Sequence, residues 1–124
     1  MNKKLLIIED DTSLQKAMES ALSKEKRIDL FQAFDGEEGF EIAKIEKPDL
    51  IILDLMMPEK DGYRVLYDIK HNSKIKDTPV VILTVIDSKV SDLECETHGA
   101  EDYLIKSEFT INELVAKIKK HLKL

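Results

Sequence analysis

Carboxylates recur directly behind apolar runs in this 124-residue chain. "LLIIEDD" ends in Glu9, Asp10 and Asp11, and "LIILDLMMPEKDG" runs four apolar residues straight into Asp54. A carboxylate beside an apolar strand is costly to keep charged unless something pairs with it. Two or three in one pocket raise each other's pKa unless a cation sits between them. With oxygen donors and no Cys or His nearby, the expected cation is Mg2+. It takes one or two carboxylates, keeps several waters and binds phosphate oxygens. Thr84 ends "VVILT" and Lys106 ends "DYLIK". Their hydroxyl and ammonium can hold the remaining oxygens of a phosphoryl group. Asp54 is a carboxylate able to attack phosphorus and form an aspartyl phosphate. Metal, lysine and threonine would stabilise charge on the equatorial oxygens of the transition state. This set of groups is suited to accepting a phosphoryl group.

Singly, each has an ordinary explanation. Acids after a strand suit a helix N-terminus, a strand-end Thr is common, and a Lys near a helix start is usually solvated. Asp54 resists such an explanation, because a cap sits next to its helix and Asp54 lies eight residues before Gly62.

The elements that must gather these residues are legible as short apolar runs alternating with segments of helical period. Strands are expected at 4–9, 28–34, 49–53, 79–84 and 102–106. Leu14, Ala17, Met18, Ala21 and Leu22 fall on one helical face, with Thr12 and Gln15 as a capping box. Asp35 with Glu38 opens a second helix, and a third runs from 62 to about 72. A fourth covers 87–98 and ends at Gly99. Thr110 with Glu113 caps a fifth, which turns Ile111, Leu114, Val115, Ile118 and Leu122 inward. Five βα units with near-continuous apolar strands imply a parallel sheet covered on both faces. With right-handed crossovers, the expected fold is a flavodoxin-like, doubly wound five-stranded sheet of order 2-1-3-4-5 with five helices. Ligands bind outside the carboxyl ends of such strands. There Glu9, Asp10, Asp54, Thr84 and Lys106 converge from about a hundred positions of sequence.

Composition narrows the classes. Nothing resembling a linker or repeat interrupts the chain, so one domain over 1–124 is expected. The formal charge is 19 − 25 = −6, which argues against direct nucleic-acid binding. The basic end "KIKKHLKL" reads as the solvated face of an amphipathic helix. No apolar run approaches the roughly 18 residues of a membrane span, and no signal peptide is visible. Cys95 is the lone cysteine, so no intrachain disulfide forms and a cytoplasmic setting is expected. Its neighbours Glu94 and Glu96 disfavour a thiolate. His71, His98 and His121 lack partners at metal-ligand spacing.

On "LLIIEDD", "LIILDLMMPEKDG", "VVILT" and "DYLIK", in that order and spacing, the chain resembles a receiver domain of a bacterial two-component response regulator over essentially its whole length. The resemblance implies phosphorylation of Asp54 by a sensor histidine kinase or His-phosphotransfer protein. It makes Asp10 a direct Mg2+ ligand, Glu9 a ligand through water and Met56 a ligand through its backbone carbonyl. Asp11 falls outside that pair and caps the first helix. Thr84 and Lys106 become the switch hydroxyl and the phosphate-binding lysine. Tyr103 takes the aromatic switch position, its ring turning inward as Thr84 moves toward the phosphoryl group. The 87–98 helix has a thin apolar stripe of Val90 and Leu93, which suits a two-state element. With the fifth strand and last helix it makes residues 87–124 the expected face for a homodimer or a downstream protein.

Three positions depart from the family pattern. Ser107 replaces the usual proline after the lysine, which favours a trans, displaced loop, because a cis bond there costs about 3–4 kcal/mol. Val85 follows Thr84 where a smaller residue is usual and narrows access to Asp54. Glu59 and Lys60 replace Gly and Met. Met56 and Ile86 flank the site as apolar groups that exclude water, implying slow loss of the phosphoryl group. Two competing readings remain. A phosphohydrolase needs a second acid two residues after the nucleophile, where this chain has Met56. A receiver-like interaction domain indifferent to phosphate has Asp10, Asp54, Thr84 and Lys106 against it. The leading reading is a signalling module that catalyses only its own phosphorylation and dephosphorylation.

Overall fold

The structure is a computed structural model and describes residues 2–57, 62–85 and 99–124. Strands β1 (Lys3–Ile8), β2 (Ile28–Ala33), β3 (Leu50–Leu53), β4 (Val80–Thr84) and β5 (Asp102–Ile105) form one sheet. Its order is β2-β1-β3-β4-β5, all neighbours parallel, as expected from the sequence. Helices α1 (Thr12–Leu22), α2 (Gly36–Glu46), α3 (Gly62–Lys70) and α4 (Ile111–His121) connect or follow the strands. The helix expected at 87–98 lies outside the described residues, as do Pro58, Glu59, Lys60 and Ile86.

Apolar runs become buried strands because each face of the sheet has its own core. Along β1, Leu5 and Ile7 pack with Met18, Leu22, Leu114 and Ile118 of α1 and α4. Leu6 and Ile8 pack on the opposite side with Ala43, Val65, Leu66 and Ile69 of α2 and α3. The pleat's two-residue period therefore divides one continuous apolar run between two cores. The less apolar strand, β2, takes one edge, where among the described residues it pairs with β1 alone. On the α2 side the layers nearly touch. A Cβ on Gly39 would stand 2.5 Å from Ile8 Cδ1, so this glycine sets how closely α2 lies on β1.

Caps fix where the helices begin. Thr110 and Glu113 form the expected reciprocal capping box on α4. Asp35 accepts from Glu38 N at 2.8 Å, while Glu38 accepts from Phe34 N at 2.9 Å. The expectation for α1 needs correction. Its N-cap is Asp11, which accepts from Ser13 N at 2.9 Å and Leu14 N at 3.2 Å. Thr12 is already helical, which makes Gln15 the fourth rather than the third helical residue, and its side chain is buried. Ile105 leads into a short 3-10 turn, Lys106–Glu108. Ser107 lies in that turn, and no cis peptide bond occurs among the described residues.

Candidate functional site

Asp54 is the first residue past β3. Its N–H still donates to Ile8 O at 3.0 Å, so backbone pairing to β1 carries the acid to the sheet's carboxyl edge. There the side chain is only 3% exposed. Its Oδ1 accepts from Met56 N at 3.0 Å, and its Oδ2 meets Lys106 Nζ at 3.3 Å. Glu9, the first residue past β1, is 1% exposed. Its N–H donates to Ala33 O at 3.0 Å, and its Oε2 accepts from Asp11 N at 3.1 Å. Its Oε1 lies 2.5 Å from Lys106 Nζ. That contact is ionic rather than directional, since Oε1 accepts no aligned hydrogen bond. One ammonium thus bridges two buried carboxylates brought in by two central strands.

The three acids form a compact donor set. One carboxylate oxygen each from Glu9, Asp10 and Asp54 lie within 4.8 Å of one another, with Asp10 exposed and the other two buried. Burial, reinforced by the Asp54 carboxylate, pushes the Glu9 carboxyl up to about 8 against the pull of Lys106. For Lys106, burial opposes its charge, but Glu9 and Asp54 outweigh it and hold the ammonium above its usual range. Lys106 alone therefore does not hold the Glu9 carboxyl in its charged form. An all-oxygen set of three acids facing one ammonium, with one open, exposed carboxylate, fits a hard divalent cation such as Mg2+, which would favour the charged form of Glu9.

Thr84 is fully buried at the end of β4 and sits in register with Ile105, the residue before Lys106. Tyr103, half-buried on β5, packs against the core on the α2 and α3 side. Around Asp54, Leu55 and Met57 are buried while Met56 is 55% exposed, so Met56 alone of the three presents its side chain to solvent. Val85 is also exposed. The loop is braced from beneath by Gly62, whose N–H donates to Leu55 O at 3.0 Å. Glu9, Asp10, Asp54 and Lys106 thus come together, with Thr84, Met56 and Tyr103 on the adjoining β4 end, acid loop and β5. Asp11 serves α1 instead.

Sequence reasoning missed Gln15. It is 1% exposed among the polar groups behind Glu9. A signal was available: Gln15 lies three and seven residues before Met18 and Leu22, on their buried stripe. A polar residue there must find hydrogen-bond partners inside.

Residues 5–119 match the model of the response regulator receiver domain. The chain is 38% identical to the probable transcriptional regulator ycf27 of Porphyridium aerugineum, over 98% of this chain and 48% of that protein. It spans about half the length of the curated relatives it matches. Among solved structures, the receiver domain of the Francisella response regulator 1452 superposes with a TM-score of 0.85 at 34% identity, covering 98% of each chain. The BeF3-activated N-terminal receiver domain of Klebsiella pneumoniae RstA gives 0.84 at 30%, covering 98% of this chain and 99% of that one. Sheet order, the acids at its carboxyl edge and the family match converge: the chain belongs to the response regulator receiver domains.

Proposed function

We propose that residues 1–124 form one phosphoacceptor domain in which Asp54 takes a phosphoryl group from a phosphohistidine. The donor is a sensor histidine kinase or a His-phosphotransfer protein. The observation that carries this reading is the buried Asp54 carboxylate held 3.3 Å from Lys106 Nζ beside the acids Glu9 and Asp10. An Asp54 oxygen forms the new bond to phosphorus as the bond to the donor nitrogen breaks. The electron pair returns to the imidazole, which is reprotonated from solvent.

Asp10 and Asp54 would hold Mg2+ directly, Glu9 through water and Met56 through its main-chain carbonyl. When bound, Mg2+ neutralises charge on the transferring oxygens. Lys106 pairs with a phosphoryl oxygen in place of the Asp54 oxygen it now meets. The Thr84 hydroxyl donates to another, and the half-buried Tyr103 ring follows Thr84 inward, which changes the surface of β5. No external substrate is turned over. The BeF3-activated state of the Klebsiella relative supports a site built for a phosphoryl-like group.

Residues 87–124 are the proposed output face, toward a second copy or a downstream protein, and the cytoplasm is the proposed setting, where such a kinase would meet the domain. Among the described residues no helix is long and apolar enough to cross a membrane. The names of the longer relatives make a pathway ending in transcription the corresponding proposal for a whole protein.

Incubation with acetyl phosphate and Mg2+ tests the reading by intact mass. A phosphoryl adduct absent in Asp54→Ala, with NMR shifts at Thr84 and Tyr103 under beryllofluoride, is expected. Absence of both modification and Mg2+ binding would overturn it.

A further inference from the structure

Behind Glu9 lies a polar group that no step of the proposed phosphoryl transfer uses. The Gln15 side chain enters the α1 face of the sheet, and its Nε2 is ringed by three main-chain carbonyls. Ala33 O lies at 2.9 Å, Ile7 O at 3.1 Å and Glu9 O at 3.2 Å. Only an amide N–H2 can face three acceptors, so this arrangement fixes which way the amide points. Its other end is held as well. Gln32 Nε2 donates to Gln15 Oε1 at 2.8 Å and to Gln15 O at 2.8 Å. The network runs from edge strand β2 through α1 to Ile7 O of β1 and Glu9 O just past it.

These contacts hold the residue that carries the buried acid. The Glu9 N–H is tied to Ala33 O, and the same Ala33 O accepts from Gln15. With Glu9 O also bound to Gln15, both peptide groups of Glu9 are tied to one small polar cluster. The carboxylate has no rigid hydrogen bond at Oε1 to orient it. Its Oε2 accepts from Asp11 N–H at 3.1 Å and its Oε1 meets Lys106, and how far the carboxylate can keep both contacts while facing Asp54 and Asp10 depends on where its main chain is held. Groups that orient the residues around a metal commonly affect affinity about as strongly as some ligands do.

We propose that Gln15 is a positioning residue for the cation site: it clamps the Glu9 main chain so that the Glu9 carboxylate faces Asp10 and Asp54. It touches neither cation nor phosphoryl group. This rests on reading Glu9, Asp10 and Asp54 as the Mg2+ site. The alternative is that Gln15 only closes hydrogen bonds in the interior, which would lower stability and leave cation affinity unchanged.

The test is calorimetric titration with Mg2+ alone, since the chain has no tryptophan to report binding. It uses the whole chain, Gln15→Met, Glu9→Gln and the double variant, at a temperature where circular dichroism shows each folded. Gln15→Met is expected to raise the Kd about tenfold. In the Glu9→Gln background the same change should have almost no further effect, because it acts through that side chain. Gln32→Met, at a half-buried position, removes the anchor on Gln15 Oε1. It is expected to raise Kd about two- to threefold, and it carries the test if Gln15→Met does not fold. Unchanged Kd in the folded Gln15 or Gln32 variant would overturn the proposal. So would an equal weakening with and without Glu9. No Mg2+ binding by the unchanged chain would overturn the site reading and this proposal together.

Discussion

Gly62 and Asp54 are in contact at a distance that admits no side chain. A Cβ on Gly62 would stand 2.4 Å from the Asp54 carbonyl oxygen and 2.4 Å from Leu55 Cα. The start of α3 thus braces the acid's own main chain. Since the obstacle is backbone, Gly62→Ala must move either α3 or the loop after β3. Overpacking of this kind costs about 1–3 kcal/mol, and displacement of an attacking group slows reaction steeply. Gly62→Ala is expected to lower stability in urea by that amount and to slow phosphorylation by acetyl phosphate. Unchanged values for both would show that the contact relaxes freely.

Addition and removal of Mg2+ should be strongly pH-dependent. Burial beside Asp54 raises the Glu9 carboxyl from 4.5 to about 8, so the folded apo domain binds that proton more tightly than the unfolded chain. Its stability therefore falls as pH rises from about 4.5 to about 8 and levels off above. A cation needs the deprotonated carboxylate, so Mg2+ affinity should rise across the same window. The melting-temperature difference between Mg2+-loaded and EDTA-treated protein is expected to be larger at pH 8 than at pH 6. At a hundredfold excess over Kd the stabilisation approaches about 2.7 kcal/mol. Glu9→Gln should remove most of the pH dependence.

Acid stability has a separate origin. Glu25, in the turn before β2, pairs with Arg27 at 2.9 Å and with Lys119 of α4 at 3.2 Å. Hydrogen bonds from Arg27, with a smaller contribution from Lys119, hold its carboxyl well below the ordinary 4.5. A depressed carboxylate pKa contributes stability that is present above 4.5 and lost as pH falls toward the folded value. Glu25→Gln should lower the melting temperature at pH 7, with the deficit shrinking as pH drops below 4.5. A deficit that stays constant down to pH 3 would mean that the pairing is not its source.

Met56, whose N–H donates to Asp54 Oδ1, stands exposed between two buried neighbours. An apolar thioether there gives a hydrolytic water no hydrogen bond to line up on. Met56→Asn supplies one and is expected to speed loss of the phosphoryl group several-fold, read as decay of the phosphorylated mass after removal of donor. Folding stability should change little, since the side chain packs against little. Equal decay rates would place the control of hydrolysis elsewhere.

How far the sequence could be read followed from which physical signal each residue carried. The strands were legible because "LLII", "LIIL" and "VVIL" are apolar at every position, which only a sheet covered on both faces explains. The site followed, since Glu9, Asp54 and Thr84 lie one residue past those runs, Lys106 lies one past the fifth strand, and topology leaves them one place to meet. Gln15 was misread because a local rule, the capping box with Thr12, competed with a tertiary one. Asp11 supplied the cap, which left Gln15 on the buried stripe with Met18 and Leu22. Pattern along one helix does not reveal carbonyls contributed by Ile7 and Ala33 on two other elements. The bridging of Glu9 and Asp54 by one ammonium was equally out of reach, because it depends on side-chain reach across three strands.

The order of the strands has a consequence for how the sheet opens. Glu9 and Asp54 arrive on β1 and β3, toward the middle, whereas Lys106 follows β5 at the margin, which among the described residues pairs with β4 alone. Marginal strands exchange amide hydrogens first. When β5 lifts, the two central acids lose their counter-charge together, so fraying at this edge carries an electrostatic penalty that fraying at β2 does not. A divalent ion resting on those acids removes the penalty. Deuterium uptake at Tyr103, Leu104 and Ile105 is then the local quantity in which filling of the acid site is felt at the far margin of the sheet.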